Sequence, residues 1–409
     1  MAGEATLEMA ERAIRRLRSA GHEALLAGGC VRDMLLGRRP ADYDVATSAT
    51  PRQVKRLFPH VLMVGAKFGV AMVIENRRRL EITTFRCDVS YSDGRRPDAV
   101  RFVSAREDAQ RRDFTINGMF YDPRKRRVVD YVGGRQDLQR RVIRAIGEPA
   151  RRFAEDYLRM LRAVRFARRF DFEVDPATAE AIRRHAGRIV QISGERVLDE
   201  LGKMLAQPSA TRAVEQLHEL GLLQPILPEL FGDSDLLPRA LRRLNQVGDR
   251  GDMLLSLAAL LAGLDAHPLR ARARRWGASN EVRDGLVWIA AHLDDWQKLQ
   301  QASLAELKRL LAHPQFERLA TLWRAEEIIA TGKDTGCRGI RRRLSQIAPA
   351  RVSPEPLVTG SDLKKLGLSE GPLLGSVLHA LHEAQLNEQV LTRRDALHLA
   401  RELIAHHRK

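Results

Sequence analysis

The hydrophobic period of this 409-residue chain changes once, near residue 145, and that change limits the architectures open to it. Before it, short runs of strand character (HEALLAGG, DYDVAT, VAMVIE, LEITTF and VRFV) alternate with turn signals and with helical stretches such as CVRDMLLG and PRQVKRLF. From Arg151 onward Leu, Ala and Arg recur at spacings of three and four with few β-branched clusters, so the remainder is expected to be helical almost throughout. Loops are expected at GDSD (232–235) and NQVGDRGD (245–252), and the Pro-rich PARVSPEPLVTG (349–360) sets off a small C-terminal helical unit. The fold class this predicts is α+β: a head with a sheet, then all-α domains. A chain of this length is expected to form two to four packed units.

Charge narrows the function. Lys and Arg number 69 and Asp and Glu 52, a formal net charge of +17, which favours a polyanionic partner over a neutral metabolite. With 44% hydrophobic residues the chain has enough apolar surface for cores, which excludes general disorder. Cys30, Cys87 and Cys337 lie far apart without CxxC spacing, so neither a disulfide framework nor a zinc knuckle is expected, and a reducing cytoplasm fits. The N-terminus lacks the continuous apolar region of a secretory signal. The longest apolar run, Met253 to Leu264, is closed by Asp252 and Asp265 and falls well short of the roughly 20 residues a bilayer needs, so no membrane span is expected.

Candidate chemistry begins at Asp42-Tyr43-Asp44, read as the start of a strand, where residues i and i+2 share a face and bring two carboxylates together. Alone, such a pair is usually a solvated turn. Upstream, however, Gly28 and Gly29 follow an apolar run and precede a helix, a place where backbone N–H groups can meet a phosphate chain, and Arg32 adds a donor. A phosphate cradle followed by paired carboxylates is what a two-metal phosphoryl transferase requires, with two Mg²⁺ held by Asp42 and Asp44. In RRRLEITTFR, Leu80 and Ile82 point one way and Glu81 the other, which makes Glu81 the candidate third carboxylate.

These residues, in the run LAGGCVRDMLLGRRPADYDVATSATP, resemble the head of the class II nucleotidyltransferases, the family of bacterial CCA-adding tRNA nucleotidyltransferases and poly(A) polymerases I. Further blocks follow in the family's order: LEITTFR, YSDGRRPDAVRFV, RRDFTINGMFYDP, VVDYVGGRQDL and FAEDYLRMLRAVRFARRF. The resemblance is dense over residues 22–205 and returns at VTGSDLKKLGLSEGPLLGSVLHALHEAQL. It implies a DNA polymerase β-like catalytic head with a mixed sheet over 1–145, a helical neck with a nucleotide-base reader over 146–215, a helical body over 216–350 and a tRNA-binding tail over 351–409. It also implies that Arg112, Asp113 and Asn117 surround the ribose, though Asp113 could equally be a helix N-cap. VSYSDGRRPD is similar to the family's flexible loop, which helps switch between CTP and ATP, with Arg95 and Arg96 as its phosphate or base contacts.

Within EDYLR, Asp156 and Arg159 are i,i+3 and Glu155 and Arg159 i,i+4, the spacing of an ordinary surface ion pair. A carboxylate beside a guanidinium also suits cytosine and adenine, which present an exocyclic amino donor beside a ring-nitrogen acceptor, and leaves unpaired groups against guanine and uracil. Arg162, Arg165 and Arg168 follow at intervals of three, either a solvated face or a set of triphosphate and RNA contacts. Many relatives carry an HD phosphohydrolase site; here LAALLAGLDAH has Ala262 and Gly263 where His and Asp would stand, so no such activity is expected. The resemblance implies template-independent addition of CMP, AMP or both, from CTP and ATP, to the 3′ end of tRNA. A poly(A) polymerase and a catalytically inactive RNA-binding relative are the alternatives. The acidic set argues against the last, and the SGERVLDELGKML and GSDLKKLGLSEGP blocks argue for the tRNA enzyme.

Overall fold

A computed structural model describes residues 2–63, 68–88, 100–248, 250–299 and 301–407. The chain divides into two compact units: Met1–Ser234 with Asp249–Met253 and Arg274–Ala278, and Asp235–Gly248 with Leu254–Ala273 and Ser279–Lys409.

The first unit opens on the helix Ala2–Ser19, whose Met9, Ala10, Ala13, Ile14 and Leu17 recur at helical spacing and are buried. Its strands are β1 (Ala24–Ala27), β2 (Asp44–Thr47), β3 (Val61–Leu62), β4 (Val70–Glu75), β5 (Arg78–Thr84), β6 (Arg86–Asp88), β7 (Val100–Phe102), β8 (Phe120–Asp122), β9 (Arg127–Val129), β10 (Val142–Ile143) and β11 (Glu173–Val174). Seven of them form one sheet in the order β3-β4-β5-β2-β1-β8-β9. β2 runs parallel to β5 and antiparallel to β1, so the sheet is mixed. The interior strand β1 is buried along its whole length, as its unbroken Ala-Leu-Leu-Ala run requires. Leu25, Ala27, Ala46, Phe85 and Phe120 pack with Ala105 and Ala109 as one cluster, with Phe85 and Phe120 edge to face at 5.8 Å.

After β10 the unit is helical except for β11, which pairs in parallel with β10 inside the stretch expected to be all helix. A second departure lies at EDYLR. The helix Pro149–Glu155 ends there, Asp156 is extended (φ −159°, ψ 103°), and a new helix runs Leu158–Phe170. The Asp156 carboxylate accepts the Leu158 N–H at 3.0 Å, a local side-chain bond that competes with helix continuation.

In the second unit the expected loop at 245–252 starts late. The helix Leu236–Val247 takes in Asn245 to Val247 and stops at Gly248, whose φ of +67° an L side chain disfavours. The helices Gly360–Lys365, Pro372–Leu386 and Arg393–His407 enclose a core that includes Leu363, Val377, Leu381 and Ala400. Among the described residues no helix is long and apolar enough to cross a membrane.

Candidate active site

A cleft of about 770 Å³ in the first unit is lined by both carboxylates and arginines. Asp42, Asp44 and Glu81 line it together. β2 begins at Asp44 rather than Asp42, yet the alternation reaches back: Asp42 and Asp44 are exposed and Tyr43 is buried. Register explains the grouping. Asp44 pairs with Ala27, the residue before the Gly28-Gly29 turn, and Val45 pairs with Ile82, which sets Glu81 on the neighbouring strand beside Asp44. Leu80 and Ile82 are each 1% exposed while Glu81 is half-buried, the alternation read from the sequence.

Solvent reaches Asp44 along the cleft, but the walls crowd it. Burial pushes its carboxyl up to about 6, with Glu81 and Asp42 adding to the rise and Arg112 opposing it. Mutually repelling carboxylates in a concave site are a donor set suited to a hard cation. Among the described residues no group of three or more Asp, Glu, His or Cys is placed to hold a metal ion by itself. A pair of carboxylates is nevertheless a donor set that a divalent cation such as Mg²⁺ can use, with substrate phosphates and water as its other ligands.

The turn expected to meet the phosphates depends on Gly28. Its φ is +75°, its N–H donates to the Met119 carbonyl at 3.0 Å, and a Cβ there would lie 2.7 Å from Arg112 Nη1. Gly28→Ala should therefore displace Arg112 as well as strain the turn, and raise KM for the expected nucleotide substrates roughly tenfold, about 1.4 kcal/mol. Steady-state kinetics would show it, and an unchanged KM would remove this turn from the nucleotide site. Gly29 starts the helix Gly29–Leu35 and lines the cleft. Arg32, 4% exposed, lines it too, but its guanidinium is spread over Asp33 Oδ1 (2.8 and 2.7 Å) and Asn117 Oδ1 (2.5 Å) and lies against the rings of Phe166 and Phe170.

Arg112, Asp113 and Asn117 are brought together as expected. Arg112 Nη1 donates to the Asn117 carbonyl at 3.3 Å, and Asn117 Nδ2 to Asp113 Oδ1 at 3.0 Å. Asp113 is not an N-cap: the short helix Thr115–Asn117 has Phe114 in that position, with no side-chain cap. Its carboxylate collects Phe114 N–H at 2.8 Å and Arg162 Nε and Nη2 at 2.9 and 2.7 Å. Burial alone would raise its pKa, but Arg162 and these hydrogen bonds prevail and hold it far below the usual carboxylate range.

Arg162 and Arg165 are not a solvated strip. Both line the cleft, and Arg165 Nε donates to the buried Glu200 at 2.5 Å, with Arg162 Nη1 3.7 Å from the same carboxylate. Steps of three drift about 60° per step round a helix. Arg168 has accordingly turned away to the Phe172 carbonyl (3.2 Å), and Arg169 lines the cleft instead.

Asp156 and Arg159 also line the cleft, each held by a different partner. Arg196 Nη2 donates to Asp156 Oδ2 at 2.7 Å, and Arg159 Nη1 to Glu155 Oε2 at 2.5 Å. Sequence reasoning missed Arg196 and Glu200. Their signal was the ERVLDE spacing: residues four apart on the helix Gly194–Leu205 face the same way, here toward the cleft wall. Arg95 and Arg96 lie outside the described residues. In the second unit, Ala262 is buried and Gly263 abuts Arg243, a Cβ there falling 3.1 Å from its Nη2. Arg243 is paired with the buried Glu326, so an ion pair stands beside the positions of an HD site.

Residues 24–144 match the family described as the poly A polymerase head domain, and residues 171–232 the one described as a probable RNA and SrmB-binding site of polymerase A. A CCA-adding enzyme of Geobacillus stearothermophilus is 35% identical over 398 residues, covering 94% of each chain. Poly(A) polymerase I of Salmonella typhi is 39% identical over 337 residues, covering 78% of this chain and 70% of its own. Among solved structures, Bacillus stearothermophilus CCA-adding enzyme in complex with CTP matches with a TM-score of 0.78 at 33% identity, over 97% of this chain and 96% of that one.

Proposed function

This chain belongs to the family of CCA-adding enzymes and bacterial poly(A) polymerases, and we propose that it transfers CMP and AMP from CTP and ATP to the 3′ end of tRNA. The observation that carries this choice is extent: likeness to the CCA-adding relative runs through 94% of both chains, whereas likeness to poly(A) polymerase I covers 78% of this one and 70% of that one. The division into head (1–145), neck (146–215), body (216–350) and tRNA-binding tail (351–409) goes with this reading, as does a place in the cytoplasm.

The divalent cations of this family, taken here as two Mg²⁺, are assigned to Asp42 and Asp44, with Glu81 facing the same space. Bound there, they supply positive charge to the triphosphate and lower the pKa of the attacking 3′-hydroxyl. The chain's own groups do the rest. Gly28 and Gly29 let the triphosphate approach the backbone without a side chain in the way. Arg32, Arg162 and Arg165 give that end of the cleft its positive charge. Asp113, kept ionised by Arg162, is an acceptor for a ribose hydroxyl beside Arg112 and Asn117. Asp156 accepts from the exocyclic amino group shared by cytosine and adenine while Arg159 donates to the ring nitrogen, which selects nucleotides without a template. Arg95 and Arg96 keep the phosphate or base contacts that the family resemblance implies.

One gel tests the function. tRNA transcripts ending before the first C, after the second C and after the terminal A are incubated with CTP, ATP or both, beside an unrelated oligo(A) primer. Extension of the truncated tRNAs that stops at CCA, with the primer untouched, is the expected result. Open-ended extension of the primer would make the chain a polymerase instead.

A further inference from the structure

Asp108 contributes nothing to the surface of the cleft, yet it grips two arginines that do. It lies in the helix Ala105–Gln110 and is 0% exposed. Its Oδ1 receives Arg111 Nε at 2.9 Å, and its Oδ2 receives Arg112 Nε and Nη2 at 3.2 and 3.0 Å. The Arg86 N–H, at the first residue of β6, adds a bond to Oδ1 at 3.2 Å. Burial raises the cost of this carboxylate, but Arg112 and Arg111 outweigh it and hold its pKa below the usual value.

Two guanidiniums on consecutive residues repel each other, and a flexible arginine in a wide cleft has many rotamers to choose among. A buried carboxylate that takes Nε and Nη2 of Arg112 from behind removes both problems. It leaves Nη1 directed toward Gly28 and the Asn117 carbonyl, where the ribose reading places the substrate. A buried ion cluster is weak support for stability compared with an apolar replacement, so its use here points to orientation. We propose that Asp108 is a positioning residue for nucleotide binding, presetting Arg111 and Arg112 toward the incoming nucleotide through the clamp its two oxygens form. The proposal rests on the assignment of Arg112 to the nucleotide site.

The test is a double-mutant cycle read as equilibrium binding of CTP and ATP, with kcat measured alongside. Asp108→Asn keeps the shape and one acceptor while removing the charge. It should raise Kd for both nucleotides roughly tenfold, the size of one lost charge-assisted hydrogen bond, and lower kcat at saturation less than about threefold. Placed in a background with both Arg111→Ala and Arg112→Ala it should add little, because the groups it acts through are gone. Additive effects, or an unchanged Kd in Asp108→Asn while Arg112→Ala weakens binding, overturn the proposal and leave the nucleotide site in place. An unchanged Kd in Arg112→Ala overturns the site assignment, and this proposal with it. Should Asp108→Asn not fold, Arg112→Lys decides. It keeps the charge but lacks the fork that grips Asp108, so roughly tenfold weaker binding supports the clamp and wild-type affinity refutes it.

Discussion

Asp42→Ala and Asp44→Ala should each reduce single-turnover nucleotide incorporation at least about a thousandfold, the equivalent of roughly 4 kcal/mol in the barrier. Neither change should weaken the fold. Both side chains are exposed along the cleft, and substitutions away from core contacts are usually within about 0.5 kcal/mol of neutral. For Asp44 the sign can go further. Burial pushes its carboxyl to about 6, with Glu81 and Asp42 adding to the rise, which means the ionised form is held at a cost in the cation-free protein. Removing it relieves that repulsion, so the thermal midpoint of Asp44→Ala without metal should equal or exceed that of the parent. Incorporation and thermal melting measured on the same preparations settle the matter: full activity in both variants refutes the assignment of the cations. A loss of activity with a large fall in midpoint would instead mean that the carboxylates support the sheet.

What the sequence revealed and what it concealed follow from the distance over which each feature is encoded. Glu81 was legible because its neighbours Leu80 and Ile82 carry the strand alternation themselves, and Asp42 and Asp44 because a period of two survives even where the strand starts two residues late. β3, β10 and β11 hold only two residues each, too few for any period to register, so their pairing is set by the elements that flank them. The break at Asp156 was hidden for a different reason. EDYLR is good helical sequence, and what interrupts it includes a bond from Arg196, 40 residues away. For Arg162 and Arg165 the spacing left a solvated face open beside phosphate or RNA contacts, because the partners that turn them inward, Asp113 and Glu200, lie 49 and 35 residues off. Asp108, which holds Arg111 and Arg112 from behind, has no such signature, since its role is defined by its contacts.

That break gives the base reader its most direct test. Asp156→Ala should collapse the preference for CTP and ATP over UTP and GTP by about a hundredfold in kcat/KM, near 3 kcal/mol, because a site built to pair an amino group rejects a carbonyl through an unmatched acceptor. Within a continuous helix the i,i+3 pair Asp156 and Arg159 would engage each other on the surface. The extended backbone at 156 instead leaves Arg159 on Glu155 and brings Asp156 to Arg196, so both side chains face the cleft with fixed orientation. The carboxylate holds the Leu158 N–H and Arg196, and in the proposed function it also presents an oxygen to the base; two substitutions separate the structural role from the proposed one. Asp156→Asn retains an acceptor for Leu158 and so preserves the turn, yet sets an amide donor among the groups that face the base; it should lose selectivity with little change in melting. Arg196→Ala leaves Asp156 in place without its tether, and should relax selection to a smaller degree than Asp156→Ala. Initial rates with the four nucleotides on a tRNA lacking its last nucleotide, beside thermal melting, distinguish the cases. Wild-type discrimination in Asp156→Ala, accompanied by a lowered midpoint, would make the residue a brace between the helices Leu158–Phe170 and Gly194–Leu205 and would move base selection to the other groups of that wall.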